Sequence, residues 1–259
     1  MKLMKRLFTA LVMLAVCNTL MAQDYKVTVE NTKDTKLTIK NFVGDLPIEG
    51  YAGNEIIVTN LDQKDGPPER AKGLKPVYAS GSDNSGIGVS SEKSGNQITL
   101  ECLLPFNHSA NFKIRVPENI ALSINSGCER NNQLNIKDVK GEIEINNCHD
   151  IVLKNVSGPL VLSTISGDIT VALTSIPKDK PTSIASVSGD VDVTLPATIA
   201  ANLEMSTVSG NMYSDFDLAA TKNKMQRVGG NAINTPLGGG GGDLKLTTIS
   251  GNVYLRKAK

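Results

Sequence analysis

Seven stretches of the chain repeat one arrangement of apolar and polar positions. In a twelve-residue frame they start at Leu37 ("LTIKNFVGDLPI"), Leu134 ("LNIKDVKGEIEI"), Ile151 ("IVLKNVSGPLVL"), Leu160 ("LVLSTISGDITV"), Thr182 ("TSIASVSGDVDV"), Leu203 ("LEMSTVSGNMYS") and Leu244 ("LKLTTISGNVYL"). Positions 1, 3, 6, 10 and 12 are apolar in every copy except at Thr182 and Ser214. Position 8 is always glycine: Gly44, Gly141, Gly158, Gly167, Gly189, Gly210 and Gly251. A fixed offset of this kind is an internal repeat.

The parity of the frame implies a bend. Positions 1 and 3 alternate as in a strand, and so do 10 and 12. Positions 1 and 10 are an odd number apart, so in one straight strand they would face opposite sides. Both pairs reach one core only if the chain turns between them, and a glycine that can take φ > 0 is a suitable hinge. Each copy therefore reads as strand, corner, strand. Position 6 is Phe42, Val139, Val156, Ile165, Val187, Val208 or Ile249. A solvated hairpin tip gives no reason for that, whereas at the corner of a coil these side chains are expected to point inward and stack.

Copies at Leu160, Thr182 and Leu203 start 22 and 21 residues apart, and Leu244 follows 41 later, near two turns. "VGGN" at Val228–Asn231 falls where the intervening corner would be. The expected fold is all-β, a single-stranded parallel β-solenoid of roughly 20-residue turns, about 11 of them at a strand spacing of about 4.8 Å. The alternative is an antiparallel β-sandwich or meander. The charges of the final "LRKAK" would protect an exposed end strand. Residues 62–76, with "PPERAKGL" as a short helix, and 221–242 break the pattern, and no composition shift marks a second domain.

Before the repeats, "MKLMKR" and the apolar "LFTALVMLAV" form a signal peptide over residues 1–22, leaving one domain at 23–259. A competing reading anchors the chain by a lipid on Cys17. Loss of Lys2, Lys5 and Arg6 takes the formal charge from +1 to −2 (three positive charges fewer). The mature chain carries no basic block of the kind nucleic acid requires and no apolar run long enough for a transmembrane helix. The expected compartment is the periplasm, outer membrane or cell surface.

Candidate chemistry is sparse. "NNCHD" sets Cys148, His149 and Asp150 side by side, but neighbouring strand residues point to opposite faces, and a corner is the expected reading. His108 sits in a turn-like "PFNHSAN", and two isolated histidines give no metal-ligand spacing. "GGGGG" lacks the Lys-Ser/Thr of a phosphate loop and reads as a flexible connection. Asp168 and Asp190 share a frame position in successive copies. They are the weak candidates for a cation, against the expectation that each bonds to its own turn amides. Cys102, Cys128 and Cys148 remain after the signal, and Cys128 and Cys148, about one turn apart, are the candidate disulfide. No catalytic residue and no cofactor is expected.

The V-S-G-D and I-S-G-N phrases, "LTIKNFVGDLPIEGYAGNEIIVTN" and "GGGGGDLKLTTISGNVYLRK" together resemble a bacterial putative-adhesin family, a domain of unknown function. The resemblance implies a β-helical exported protein with an adhesive role, and it brings no catalytic residues. The expected function is a non-enzymatic envelope or surface protein binding a protein or glycan through its repeat face or loops. The alternatives are a structural or signalling envelope component without a ligand and a polysaccharide-active β-helix enzyme. The absence of Trp weighs against a sugar-stacking platform.

Overall fold

The computed structural model describes residues 24–42, 44–62, 69–74, 76–105, 110–128, 133–218 and 231–259. The signal-peptide region with Cys17, the segment around His108 and most of Val228–Asn231 lie outside them, as do Pro67 and Pro68 of "PPERAKGL", whose Glu69–Ala71 is a 3-10 turn.

The first strands are β1 (Asp24–Thr28), β2 (Lys36–Lys40), β3 (Leu46–Tyr51), β4 (Glu55–Asn60), β5 (Val77–Tyr78), β6 (Gly81–Ser82), β7 (Val89–Ser94) and β8 (Gln97–Cys102). Next come β9 (Phe112–Pro117), β10 (Ala121–Asn125), β11 (Leu134–Lys137), β12 (Ile143–Asn147), β13 (Ile151–Val156), β14 (Leu160–Ser166) and β15 (Ile169–Leu173). The last are β16 (Thr182–Ser188), β17 (Val191–Leu195), β18 (Ala201–Ser209), β19 (Met212–Ser214), β20 (Asn231–Leu237), β21 (Gly242–Ser250) and β22 (Val253–Lys257).

Apart from the small β5–β6 pair, these strands form two ten-stranded sheets. Sheet I runs β1-β4-β9-β3-β11-β13-β15-β17-β22-β19, and sheet II runs β20-β18-β21-β16-β14-β12-β10-β2-β8-β7. Each rung takes one strand from sheet II, turns a corner, and continues as one strand of sheet I. Among the described residues eight such rungs stack in parallel: β8–β9, β2–β3, β10–β11, β12–β13, β14–β15, β16–β17, β21–β22 and β18–β19. The repeat therefore does build a parallel β-solenoid. Antiparallel pairing is confined to its ends, where β1 and β4 extend one sheet and β7 and β20 border the other.

The rungs do not stack in chain order, which corrects the simple coil expected from spacing. The rung β21–β22 slots between β16–β17 and β18–β19, and β2–β3 slots between β8–β9 and β10–β11. So the copy at Leu203 does not sit on the copy at Thr182; the copy at Leu244 does. "LRKAK" lies on the penultimate strand of sheet I, not the end strand: β19 covers β22 as far as Leu255, and Arg256 and Lys257 run beyond it. Asn231, the one described residue of "VGGN", opens β20, which runs antiparallel to β18 and closes that end of sheet II.

Between the sheets lies one core of Ile, Leu and Val from positions 1, 3, 10 and 12, nearly all wholly buried. Phe42 and Phe112 meet edge-on inside it, with centroids 5.1 Å apart. β-Branched and leucine side chains suit such stacked strands because identical positions recur at one strand spacing.

The corners come in two kinds. At Asn41, Asp138 and Asn155 the chain takes φ of 60°, 60° and 55°, a conformation that Asn and Asp tolerate better than other residues with a side chain. The turn happens at that residue, position 5, and the next side chain swings inward: Phe42, Val139 and Val156 are buried. In the other copies position 5 is Thr164, Ser186, Thr207 or Thr248. There the strand stays straight through the hydroxyl residue, which points inward, so the next side chain points out. Ile165, Val187, Val208 and Ile249 are 44–58% exposed, which overturns the expectation that every position 6 is interior.

Candidate functional site

The position-8 glycines are needed at the corners mainly because backbones pass too closely for a side chain. A Cβ on Gly158 would overlap the carbonyl of Gly141, one on Gly189 that of Gly167, one on Gly251 that of Gly189, and one on Gly210 that of Gly251. Gly44, at φ 83° with open space around it, is the position that fits the hinge expectation. Apart from the Gly44 corner, the corners are thus stacks of carbonyls, each glycine seated on a neighbouring rung.

Those carbonyls are recruited by the inward hydroxyls. Thr164 Oγ1 donates to His149 O (2.9 Å), Ser186 Oγ to Gly167 O (3.1 Å), Thr248 Oγ1 to Gly189 O (2.8 Å) and Thr207 Oγ1 to Gly251 O (2.9 Å). Such a partner offsets the cost of burying a hydroxyl. Outside the corner runs a parallel ladder at position 9. Asp168 N–H donates to Asp150 Oδ1 (2.9 Å), Asp190 N–H to Asp168 Oδ1 (2.8 Å), Asn252 N–H to Asp190 Oδ1 (2.7 Å) and Asn211 N–H to Asn252 Oδ1 (3.0 Å). Asp168 and Asp190 do lie on adjacent rungs. Their bonds run to the next rung's amide, not to their own turn, so each carboxylate clips two rungs together.

Cys128 and Cys148 form a disulfide with Cα atoms 5.1 Å apart, and Cys102 is buried elsewhere. The bridge occupies the thiol of the "NNCHD" trio. His149 offers its carbonyl to Thr164 and to Asn147 Nδ2, and Asp150 accepts from Asp168. The trio is a corner. "GGGGG" is likewise not a slack tether: Gly238, Gly239 and Gly240 have φ of 55°, 87° and 89°, and the run crosses the start of β18. A Cβ on Gly238 or Gly241 would strike the carbonyls of Ile199 or Ala200, and one on Gly242 that of Pro177.

What these stacked corners leave available is the pair of outward faces. Sheet II presents small side chains, the ion pairs Lys36–Glu144 and Lys245–Glu204, and the apolar row Ile165, Val187, Ile249 and Val208. Sheet I presents charge and aromatic rings. Arg115 lies 4.4 Å over the ring of Tyr51 near one end, while Tyr213 and Tyr254 stack at 5.2 Å near the other, with Arg256 paired to Asp192 at 2.8 Å. Beside the Arg115–Tyr51 pair is a groove of about 320 Å³ across β9, β3, β11 and β13. Its outward lining is Pro47, Asn135 and Val152, bordered by Lys113, Lys137, Lys154 and Glu49.

Register explains the groove. Pro47 faces Asn135 and Asn135 faces Val152, while Glu49 faces Lys137 and Lys137 faces Lys154. One row is uncharged and short, the next long and charged. Glu49 accepts from Lys113 at 3.0 Å and Lys137 at 3.1 Å. Those two hydrogen-bonded ammonium groups, Lys113 first, hold its carboxyl below the usual carboxylate value of 4.5 despite some desolvation. Sequence reading missed this site, although position 4 is lysine in both the Leu134 and Ile151 copies, which share sheet I.

A model of the family described as Toastrack DUF4097 matches residues 18–256. No curated protein gives a significant match. Among solved structures, a putative cell adhesion protein from Clostridium sporogenes ATCC 15579 aligns at 14% identity and TM-score 0.39, covering 92% of this chain and 100% of its own. A putative adhesin from Bacteroides fragilis NCTC 9343 aligns at 11% identity and TM-score 0.38, covering 91% and 96%. One from Parabacteroides merdae ATCC 43184 aligns at 11% and 0.31, covering 91% and 95%. Similarity this distant says nothing about ligands. Among the described residues no helix is long and apolar enough to cross a membrane.

Proposed function

The chain belongs to the Toastrack DUF4097 family, and from that premise we propose that it is a non-catalytic exported protein of the cell envelope or surface that works by binding a protein or glycan. The observation that carries this reading is the outer face of sheet I, where parallel rungs hold charged, aromatic and short side chains in straight rows around a groove. Such a face needs no rearrangement to receive an extended partner, so little ordering entropy opposes binding. Three candidate groups from the sequence have structural partners: Cys148 is bridged, and the carboxylates of Asp168 and Asp190 hold backbone amides.

Protease treatment of intact cells, read by immunoblot, tests the location; cleavage of the chain without lysis supports the surface. Glycan-array and host-protein-array binding by purified residues 23–259 tests the function. Uniform absence of binding would return the chain to a purely structural role. Polysaccharide turnover abolished by Asp168→Ala would make it an enzyme.

A further inference from the structure

We infer that the groove on sheet I is a subsite for an acidic sugar residue of a glycan, an inference that rests on the binding role proposed above and gives it a ligand class. Three observations converge. The floor formed by Pro47, Asn135 and Val152 is uncharged and largely apolar, and all three side chains are half-buried. The border carries three lysines against one glutamate. Lys113 and Lys137 are steered by Glu49, whereas Lys154 is exposed and has no carboxylate within salt-bridge distance among the described residues.

A sugar ring matches this combination because it has a C–H face for an apolar floor and an edge that can carry a carboxylate or sulfate. A bare phosphate would leave the floor unused. An acidic peptide laid across the strands fits less well: its same-side residues recur every ~6.7 Å, two residues of extended chain, against ~4.8 Å between strands. Lys137 and Lys154 are one strand apart, and a pyranose residue advances by about one such spacing. The volume of about 320 Å³ holds a single sugar ring with part of its neighbour, so the remaining rungs of sheet I would contact the rest of the polymer. The pairing with Glu49 matters too. It keeps two ammonium groups in place before any ligand arrives, and it leaves Lys154 to meet the incoming anion.

The test is calorimetric titration of purified residues 23–259 at low salt with four probes: oligogalacturonate, a heparin-derived hexasaccharide, fully methyl-esterified oligogalacturonate, and poly-glutamate of matched length. Binding of either acidic saccharide is expected, at least tenfold tighter than the esterified one and than poly-glutamate, and weakening as salt is raised. The double variant Lys137→Gln, Lys154→Gln should lose at least tenfold, as should Val152→Glu, with thermal stability near that of the parent. Poly-glutamate binding as tightly as the saccharides, unchanged affinity in the double variant, or no saccharide binding at all would each overturn the assignment. If the double variant still adheres to the partner found by array or cell binding, the adhesive role stands and this subsite falls.

Discussion

The corners at Asn41, Asp138 and Asn155 and those at Thr164, Ser186, Thr248 and Thr207 resolve one parity problem in opposite ways. In the first group a left-handed residue turns the chain early and the following apolar side chain joins the core. In the second the strand continues, a hydroxyl goes inside, and the apolar side chain is left in water. The side of the solenoid does not decide this, because the Asn41 corner leads from sheet II to sheet I as the threonine corners do. The residue at position 5 decides it. A β-branched threonine resists the left-handed region and its hydroxyl finds a carbonyl beneath it, while Asn and Asp accept that region and spare the core a polar group.

The sharpest way to break the comparison is at the glycine both corner types share. Gly158→Ala and Gly189→Ala put a methyl onto a backbone carbonyl and should each cost about 3 kcal/mol, the upper range for single substitutions. Gly44→Ala, with space but φ of 83°, should cost only about 1 kcal/mol in urea titration. Next comes position 6. Val156→Ser should lose about 2 kcal/mol through a cavity and a buried hydroxyl, and Val187→Ser less than about 0.5 kcal/mol. Equal losses would erase the distinction between the corners.

Replacing the deciding residue is the third step. Asn155→Thr forces a β-branched residue into the left-handed region and should cost about 1–2 kcal/mol, whereas Asn155→Gly should be near neutral by calorimetry. Thr248→Val leaves the Gly189 carbonyl without its hydroxyl and should cost about 1 kcal/mol. The smallest expected effect lies away from the corners. Glu49 has its carboxyl held low in the folded chain, so its contribution is complete above the ordinary carboxylate value of 4.5 and disappears as pH falls through the lower folded value. Melting temperature measured from pH 6 to 3 should therefore fall slightly less in Glu49→Gln than in the parent.

The twelve-residue frame made the solenoid legible because hydrophobic parity and recurrent glycine are local signals that the stacked core merely repeats. The same frame carried the difference between Asn155 and Thr164, but reading it requires asking where the turn begins, and glycine at position 8 draws attention to the wrong residue. Rung order was not legible. Spacing along the chain says how long a turn is, and nothing about Leu244 states that its strand pairs with both Thr182 and Leu203. The groove was hidden for a related reason: Lys113 and Glu49 lie far apart in sequence from Lys137 and Lys154, and only inter-strand register collects them.

The insertion of β21–β22 inside β18–β19 has a consequence for biogenesis. A nascent chain emerging in order would make β16–β17 and then β18–β19 long before their common neighbour exists. If those two were to zip together prematurely, the late segment would find its berth taken and the hydrophobic stripe of Leu244, Leu246, Val253 and Leu255 would be stranded. The glycine crossing at 238–242 delivers the late segment across the start of β18, so maturation must wait for that delivery. Once seated, the latecomer is the rung through which β18–β19 joins the stack, so the tip cannot be completed before the last strands are made.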